Sequence, residues 1–188
     1  MVNISEETLL GLKNHLLAHS VKTGDFILKS GKHSSWFIDA KQTLTRPEGM
    51  LLAVEAILAI LPPETTAIGG LTMGADPVAF ATAAVAATKN LKMKSFSVRK
   101  QEKGYGQKGR IAGALEAGDL VVVVEDTVTR GTSLLEAAQA VKDHGAIPIL
   151  ALAVVDRGGT VQEMASKQGI KFQCLLSAPD LGFEYEGG

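Results

Sequence analysis

The chain carries a single cysteine, Cys174, in 188 residues. One thiol excludes an internal disulfide and any zinc site built on several cysteines. It falls in the apolar stretch 172–176, which predicts a buried, unreactive thiol on a strand. Histidine is sparse and scattered. His15 and His19 stand four apart but lack the acid that a metal-binding HExxH helix carries between them. No charge of one sign dominates: 19 basic residues against 20 acidic ones argue against a dedicated nucleic-acid binder or a polybasic membrane anchor. Long hydrophobic runs are absent as well. The longest, residues 147–155, contains Pro148 and is far too short to span a bilayer. The first residues lack a basic stretch followed by an apolar core, so no signal peptide is expected and a reducing cytoplasm is. With no internal repeat, low-complexity tract or linker, the expectation is one domain over residues 1–188.

What is present is concentrated in residues 120–133, LVVVVEDTVTRGTS. Five apolar residues end in two adjacent carboxylates, Glu125 and Asp126, and a loop rich in hydroxyls and glycine follows. The apolar run predicts a strand buried on both faces, as in parallel sheets. The loop would then lie at the carboxyl end of that strand, where open α/β sheets bind ligands. Thr129, Gly131, Thr132 and Ser133 can wrap backbone N–H groups and hydroxyls around a phosphate at a helix start. Glu125 and Asp126 are acceptors only when ionised, so they suit sugar hydroxyls or a metal. The competing reading is an ordinary strand-to-helix turn capped by Thr129 or Thr132.

Around this stretch the pattern is regular. Ser5 caps a first helix through Leu9, Leu12 and Leu16, and strands at 26–29 and 36–39 flank a turn at 30–32. Thr45, Pro47 and Glu48 predict a second helix capped by Thr45 and ending at Pro62-Pro63. Strands follow at 67–71, 94–98, 120–124, 147–155 and 171–176, with helices at 77–88, 133–143 and 161–167. This alternation predicts an α/β fold, a doubly wound and mostly parallel sheet flanked by helices. Residues up to about 45 would form a small hood over the sheet edge.

Residues 99–110 break the rhythm. Arg99, Lys100, Lys103, Lys108 and Arg110 face only Glu102, among Gly104, Gly106 and Gly109. So flexible and cationic a loop reads as a lid for a polyanion or as a solvated hairpin tip. Its glycines spell G-x-G-x-x-G, but charged residues precede them and no helix opens within, so it is not a dinucleotide fingerprint. Residues 69–74 have P-loop glycine spacing, yet Ala75-Asp76 stands where Lys-Ser/Thr is required.

Together these segments resemble type I phosphoribosyltransferases. In that family hydrophobic residues precede two acids and a T-x-G-T turn, matched here by Glu125-Asp126 and Thr129-Arg130-Gly131-Thr132. The orotate members carry R-K-x-x-K in the lid, matched by Arg99, Lys100 and Lys103, with Tyr105 where histidine is common. Phe26-Ile27-Leu28-Lys29-Ser30-Gly31, followed by Ser34 and Phe37, is similar to their F-x-L-x-S-G…S region. The segment 70–76 resembles the pyrophosphate loop, with Thr72 and Met73 but without the lysine some relatives place there. Arg157 matches the arginine that grips the orotate carboxylate. The resemblance runs from about residue 8 to residue 182.

It implies the family's fold, with the hood and a mobile catalytic hairpin at 99–115, and transfer of phosphoribosyl from phosphoribosyl pyrophosphate (PRPP) to orotate. The resemblance assigns PRPP to Thr72, Met73, Arg99, Lys100, Lys103, Tyr105, Glu125, Asp126, Thr127, Val128, Thr129, Arg130, Gly131, Thr132 and Ser133. Catalysis falls to Arg99, Lys100, Lys103, Glu125 and Asp126, and orotate binding to Lys29, Phe37, Thr129 and Arg157. Magnesium is implied as cofactor, held by substrate and water with no protein metal site, in a homodimer whose loop closes over the neighbouring subunit's site. No nucleic acid or membrane partner is implied. Taken without the family, Phe37 is a core ring, Lys29 a surface charge, and Arg157 a salt-bridge partner for Asp156 or Glu163. Two other functions share the motif: transfer to another base, and a PRPP-sensing, RNA-binding regulator.

Overall fold

The structure, a computed structural model, describes residues 4–27, 31, 33–103 and 109–186, excluding the side chains of Glu102 and Lys103. Lys29 and Tyr105 lie outside the described residues. Helix α1 (Glu6–His19) starts where Ser5 Oγ accepts the Thr8 N–H at 3.0 Å, with Glu6 and Glu7 facing the helix dipole. Its buried face is Leu12 and Leu16. Strands β1 (Val21–Ile27) and β2 (His33–Ile38) then form an antiparallel pair apart from the main sheet. β1 begins well before the expected residue 26 because it is mostly exposed, leaving no apolar alternation to read. In β2 the period of two is clear: Ser34, Trp36 and Ile38 point inward, while His33, Ser35 and Phe37 point outward.

Thr45 does not cap the start of the helix that follows it. Its hydroxyl donates to the Lys41 carbonyl at 2.7 Å and closes the short helix α2 (Lys41–Leu44). Helix α3 (Pro47–Ile60) starts from Arg46 with no side-chain cap, its first turn set instead by Pro47.

The main sheet is built from β3 (Ala67–Leu71), β4 (Lys94–Lys103), β5 (Gly109–Gly113), β6 (Leu120–Val128), β7 (Ile147–Asp156) and β8 (Lys171–Ser177). Helices α4 (Asp76–Thr88), α5 (Thr132–Asp143) and α6 (Val161–Lys167) cover it. The strand order is β5-β4-β3-β6-β7-β8, parallel throughout except for β5 against β4. β6 shows why its valines are continuous. Val122 and Val124 enter the core beneath α1, α3 and α4, while Val121 and Val123 enter the opposite core beneath α5 and α6. Among the described residues no helix is long and apolar enough to cross a membrane.

Two expected boundaries shift in ways that matter for the site. β6 runs on past the apolar residues to Val128, pairing Glu125 with Ala153 and Val128 with Asp156 of β7, so both acids sit on the strand itself. β4 likewise runs to Lys103 and returns as β5, so Arg99 and Lys100 are strand residues of a hairpin, not of a loop. The edge strand β5, and β4 beyond Val98 where it pairs only with β5, need no apolar pattern, which is why polarity concealed these parts of the hairpin. From β3 the chain winds outward to β4 on one side, and from β6 outward to β7 and β8 on the other. The reversal between β3 and β6 opens the crevice where such sheets take their ligands.

Candidate active site

Both strands bordering that crevice deliver a loop into it. The loop after β3 reaches the acid pair so closely that only a glycine fits. A Cβ on Gly74 would lie 2.1 Å from Glu125 Oε1 and 2.9 Å from Asp126 Oδ1. Asp76 fixes the loop from the start of α4, accepting from Thr72 Oγ1 at 2.7 Å and from the Ser97 hydroxyl. Met73 projects outward, exposed.

The loop after β6 turns through Thr129, Arg130 and Gly131, with Gly131 at φ 72° in the left-handed region. Gly131 is itself the N-cap of α5 and no side chain caps the helix, so neither Thr129 nor Thr132 plays the capping part of the competing reading. An uncapped first turn presents its N–H groups to an anion. Thr132 and Ser133 stand exposed there, Thr129 is half-buried, and Arg130 points outward.

The two acids are not equivalent. Asp126 is buried and collects donors: the Thr127 N–H at 2.7 Å and hydroxyl at 3.3 Å on Oδ1, and Lys41 Nζ at 2.5 Å on Oδ2. Burial would lower the Lys41 ammonium, but the hydrogen bond and charge of Asp126, with Asp39 and Glu125 behind, outweigh it and raise it. Glu125 sits beside them, 6% exposed. Burial first, then the charge of Asp126 and a hydrogen bond with it, push its carboxyl up to about 8. Burial thus favours its protonated form, in which Glu125 can donate one hydrogen bond as well as accept. Lys41 has no place in the sequence motif and lies 85 residues from Asp126. The fold brings α2 onto β6 and so joins them.

At the end of β7, Arg157 is buried and meets neither Asp156 nor Glu163. Asp156 accepts the Gly158 and Gly159 N–H groups at 3.0 Å each, and Glu163 pairs with Lys167 at 2.6 Å. Arg157 Nη2 donates to the Trp36 carbonyl at 3.0 Å and the Ser34 hydroxyl at 3.4 Å, and its guanidinium lies 4.8 Å over the Trp36 ring. Its ionic partner is Glu186, which the sequence reading missed and no motif flags.

The other expected residues lie around these two clusters. Phe37 is exposed on the outer face of β2, its ring tilted 39° against Phe26 at 5.9 Å, and the buried core ring is Trp36 instead. Arg99 Nη1 donates within its own hairpin, to the carbonyls of Ile111 at 3.3 Å and Gly109 at 3.4 Å, and Lys100 is exposed. The backbone of Lys103 ends β4, while its side chain lies outside the described residues. Cys174 on β8 is half-buried, and burial, then Asp156 and Asp180, push its thiol up to about 11. Among the described residues no three His, Cys, Asp or Glu side chains cluster to hold a metal.

No family model matches the chain. Over 166 residues it is 37% identical to the orotate phosphoribosyltransferase of Nostoc sp., covering 88% of this chain and 81% of that one. It is 40% identical to that of Aquifex aeolicus, also over 166 residues, covering 86% and 91%. The structure is similar to the orotate phosphoribosyltransferase of Mycobacterium tuberculosis. In its Fe(III) dicitrate complex that protein gives a TM-score of 0.80 at 31% identity, covering 94% of this chain and 99% of that one. In its complex with 5-phospho-α-D-ribosyl 1-diphosphate it gives 0.76 at 28%, with the same coverage. With this level of identity over most of both chains, the protein belongs to the orotate phosphoribosyltransferase family.

Proposed function

We propose that the chain transfers the 5-phosphoribosyl group from PRPP to orotate, releasing pyrophosphate and forming orotidine 5′-monophosphate for pyrimidine biosynthesis. The observation that carries this reading is the convergence at the β3/β6 switch point of the acid pair, the Gly74 loop and the uncapped start of α5. The reaction forms a bond from an orotate ring nitrogen to the anomeric carbon and breaks that carbon's bond to pyrophosphate oxygen. Positive charge develops on the sugar and negative charge on the leaving group. Such a reaction needs positioning and fixed electrostatics more than a side-chain nucleophile.

Residues 127–133 hold the 5′-phosphate, with the free N–H groups at the start of α5 directed to it. The ribose hydroxyls meet Asp126 as acceptor and Glu125 as donor. The loop at Thr72 and Met73 takes the pyrophosphate through its backbone. Arg99, Lys100, Lys103 and Tyr105 close over it from a second copy of the chain, in a homodimer. Thr129, Arg157, Phe37 and Lys29 surround orotate, the arginine facing its carboxylate. The donor set fits magnesium only as an ion carried by the substrate, since two adjacent carboxylates, one protonated, are no cage for it. Held with the substrate beside Glu125 and Asp126, it would supply neutralising charge to the leaving group. Residues 1–188 act as one unit, with no nucleic acid or membrane partner, in the cytoplasm.

The test is to mix the purified chain with orotate, PRPP and magnesium and follow the loss of orotate's ultraviolet absorbance, with uracil and hypoxanthine as parallel controls. Loss with orotate alone is the expected result. Turnover of another base instead, or of none despite PRPP binding, would overturn the assignment.

A further inference from the structure

Beside Arg157 the chain holds a carboxylate of its own. The Glu186 N–H donates to the Arg157 carbonyl at 3.0 Å, and its carboxylate meets both the Arg157 guanidinium and the Ser34 hydroxyl. The segment leading to it is anchored. Phe183 stacks on Trp36 with centroids 4.5 Å apart and planes 8° from parallel, and the Tyr185 ring lies where a Cβ on Gly159 would come within 2.9 Å. Residues 183–186 thereby seal Arg157 beneath the hood, 8% exposed.

The seal is chemically incomplete. Arg157 Nε is buried and has no hydrogen-bond partner among the described residues, because Glu186 meets the guanidinium through Nη2 alone. A guanidinium and a carboxylate in full register make two parallel hydrogen bonds, and this pair does not. A buried N–H left without an acceptor is costly, so this edge of Arg157 favours any carboxylate able to use Nε and Nη2 together.

We infer that Glu186 is an internal stand-in for the substrate's carboxylate, occupying Arg157 in the free chain and exchanging with an aromatic carboxylate as it binds. This rests on the proposed function and deepens it: residues 183–186 set the affinity of the site for an anionic base. The competitor is tethered, so an incoming carboxylate works against a high local concentration of Glu186. Removing the tethered charge therefore strengthens orotate binding.

The experiment compares wild type with Glu186→Gln, which preserves shape, and Glu186→Ala, with folding checked by thermal melting. Both variants are expected to lower KM for orotate by about three- to tenfold, with kcat and KM for PRPP held within about twofold. In an Arg157→Gln background the gain disappears. An unchanged or raised orotate KM in Glu186→Gln would overturn the inference and make Glu186 a strut for Arg157. Calorimetric titration with orotate reads the exchange without turnover. If wild type fails to turn over orotate, the proposed function falls. Tighter orotate binding by Glu186→Gln would still support the exchange, and equal binding would overturn it.

Discussion

The proposed phosphate side and the proposed base side of this site are each organised around an ion pair with a buried member, but in opposite ways. On the phosphate side two acids adjacent in sequence share one cation, Lys41, and the crowding leaves a proton on Glu125. On the base side one cation, Arg157, meets one acid, Glu186, and the mismatch leaves an N–H without an acceptor. Surplus carboxylate suits a sugar with hydroxyls to share; surplus donor suits an anionic ring. The contrast teaches that each half is unbalanced toward the chemistry of what it would receive. It also gives a way to test the two halves separately.

The largest effect is expected outside both pairs. Lys103→Ala removes a charge assigned to the leaving pyrophosphate and should lower kcat on the order of a hundredfold or more, as lost transition-state donors do. Unchanged turnover would strike Lys103 from the reaction. Gly74→Ala comes next, because the new Cβ would meet Glu125 Oε1 and Asp126 Oδ1, both buried. It should cost roughly tenfold or more in kcat/KM through PRPP, with KM for orotate little changed. A rise in both KM values would mean the two halves are not separable.

Roughly tenfold effects should then divide cleanly between the sides. Lys41→Met leaves Asp126 without its Nζ partner and should raise KM for PRPP. Because Lys41 is 42% exposed, solvent shields the pair and the stability loss should stay near about 1 kcal/mol. Arg157→Lys keeps the charge but loses the fork, and should raise KM for orotate while sparing PRPP. Steady-state titration of each substrate against each variant checks both. Crossed effects would break the comparison.

What could be read from the sequence follows the same division. The acid pair, the turn at 129–133 and the valine strand are contiguous, so their chemistry and burial pattern could be read directly. The pairings that finish the site are long-range. Lys41 reaches Asp126 across 85 residues, and Arg157 reaches the Trp36 carbonyl across 121. Neither separation has a periodicity or motif to betray it. The misread boundaries have a local cause: β1 is mostly exposed, β5 is an edge strand and β4 beyond Val98 pairs only with β5, so no apolar alternation is required, and Thr45 looks like a helix start because Pro47 follows it. Residue type alone also could not place the proton on Glu125, which depends on burial and on what faces it.

That proton yields the subtlest prediction. A carboxyl held at about 8 in the folded chain and near its ordinary value of about 4.3 when unfolded binds more protons folded than unfolded between those limits. Stability from this group is therefore fully present at low pH and is lost as pH rises from about 5 toward about 8. Glu125→Gln cannot ionise, so its stability should lack this decline, and the difference from wild type should grow steadily over that window. Urea denaturation of both proteins at pH 5, 6, 7 and 8 reads it, because titrating groups remote from Glu125 cancel in the difference. Parallel curves would mean that Glu125 ionises freely, and the phosphate side would then carry no surplus proton to offer a sugar.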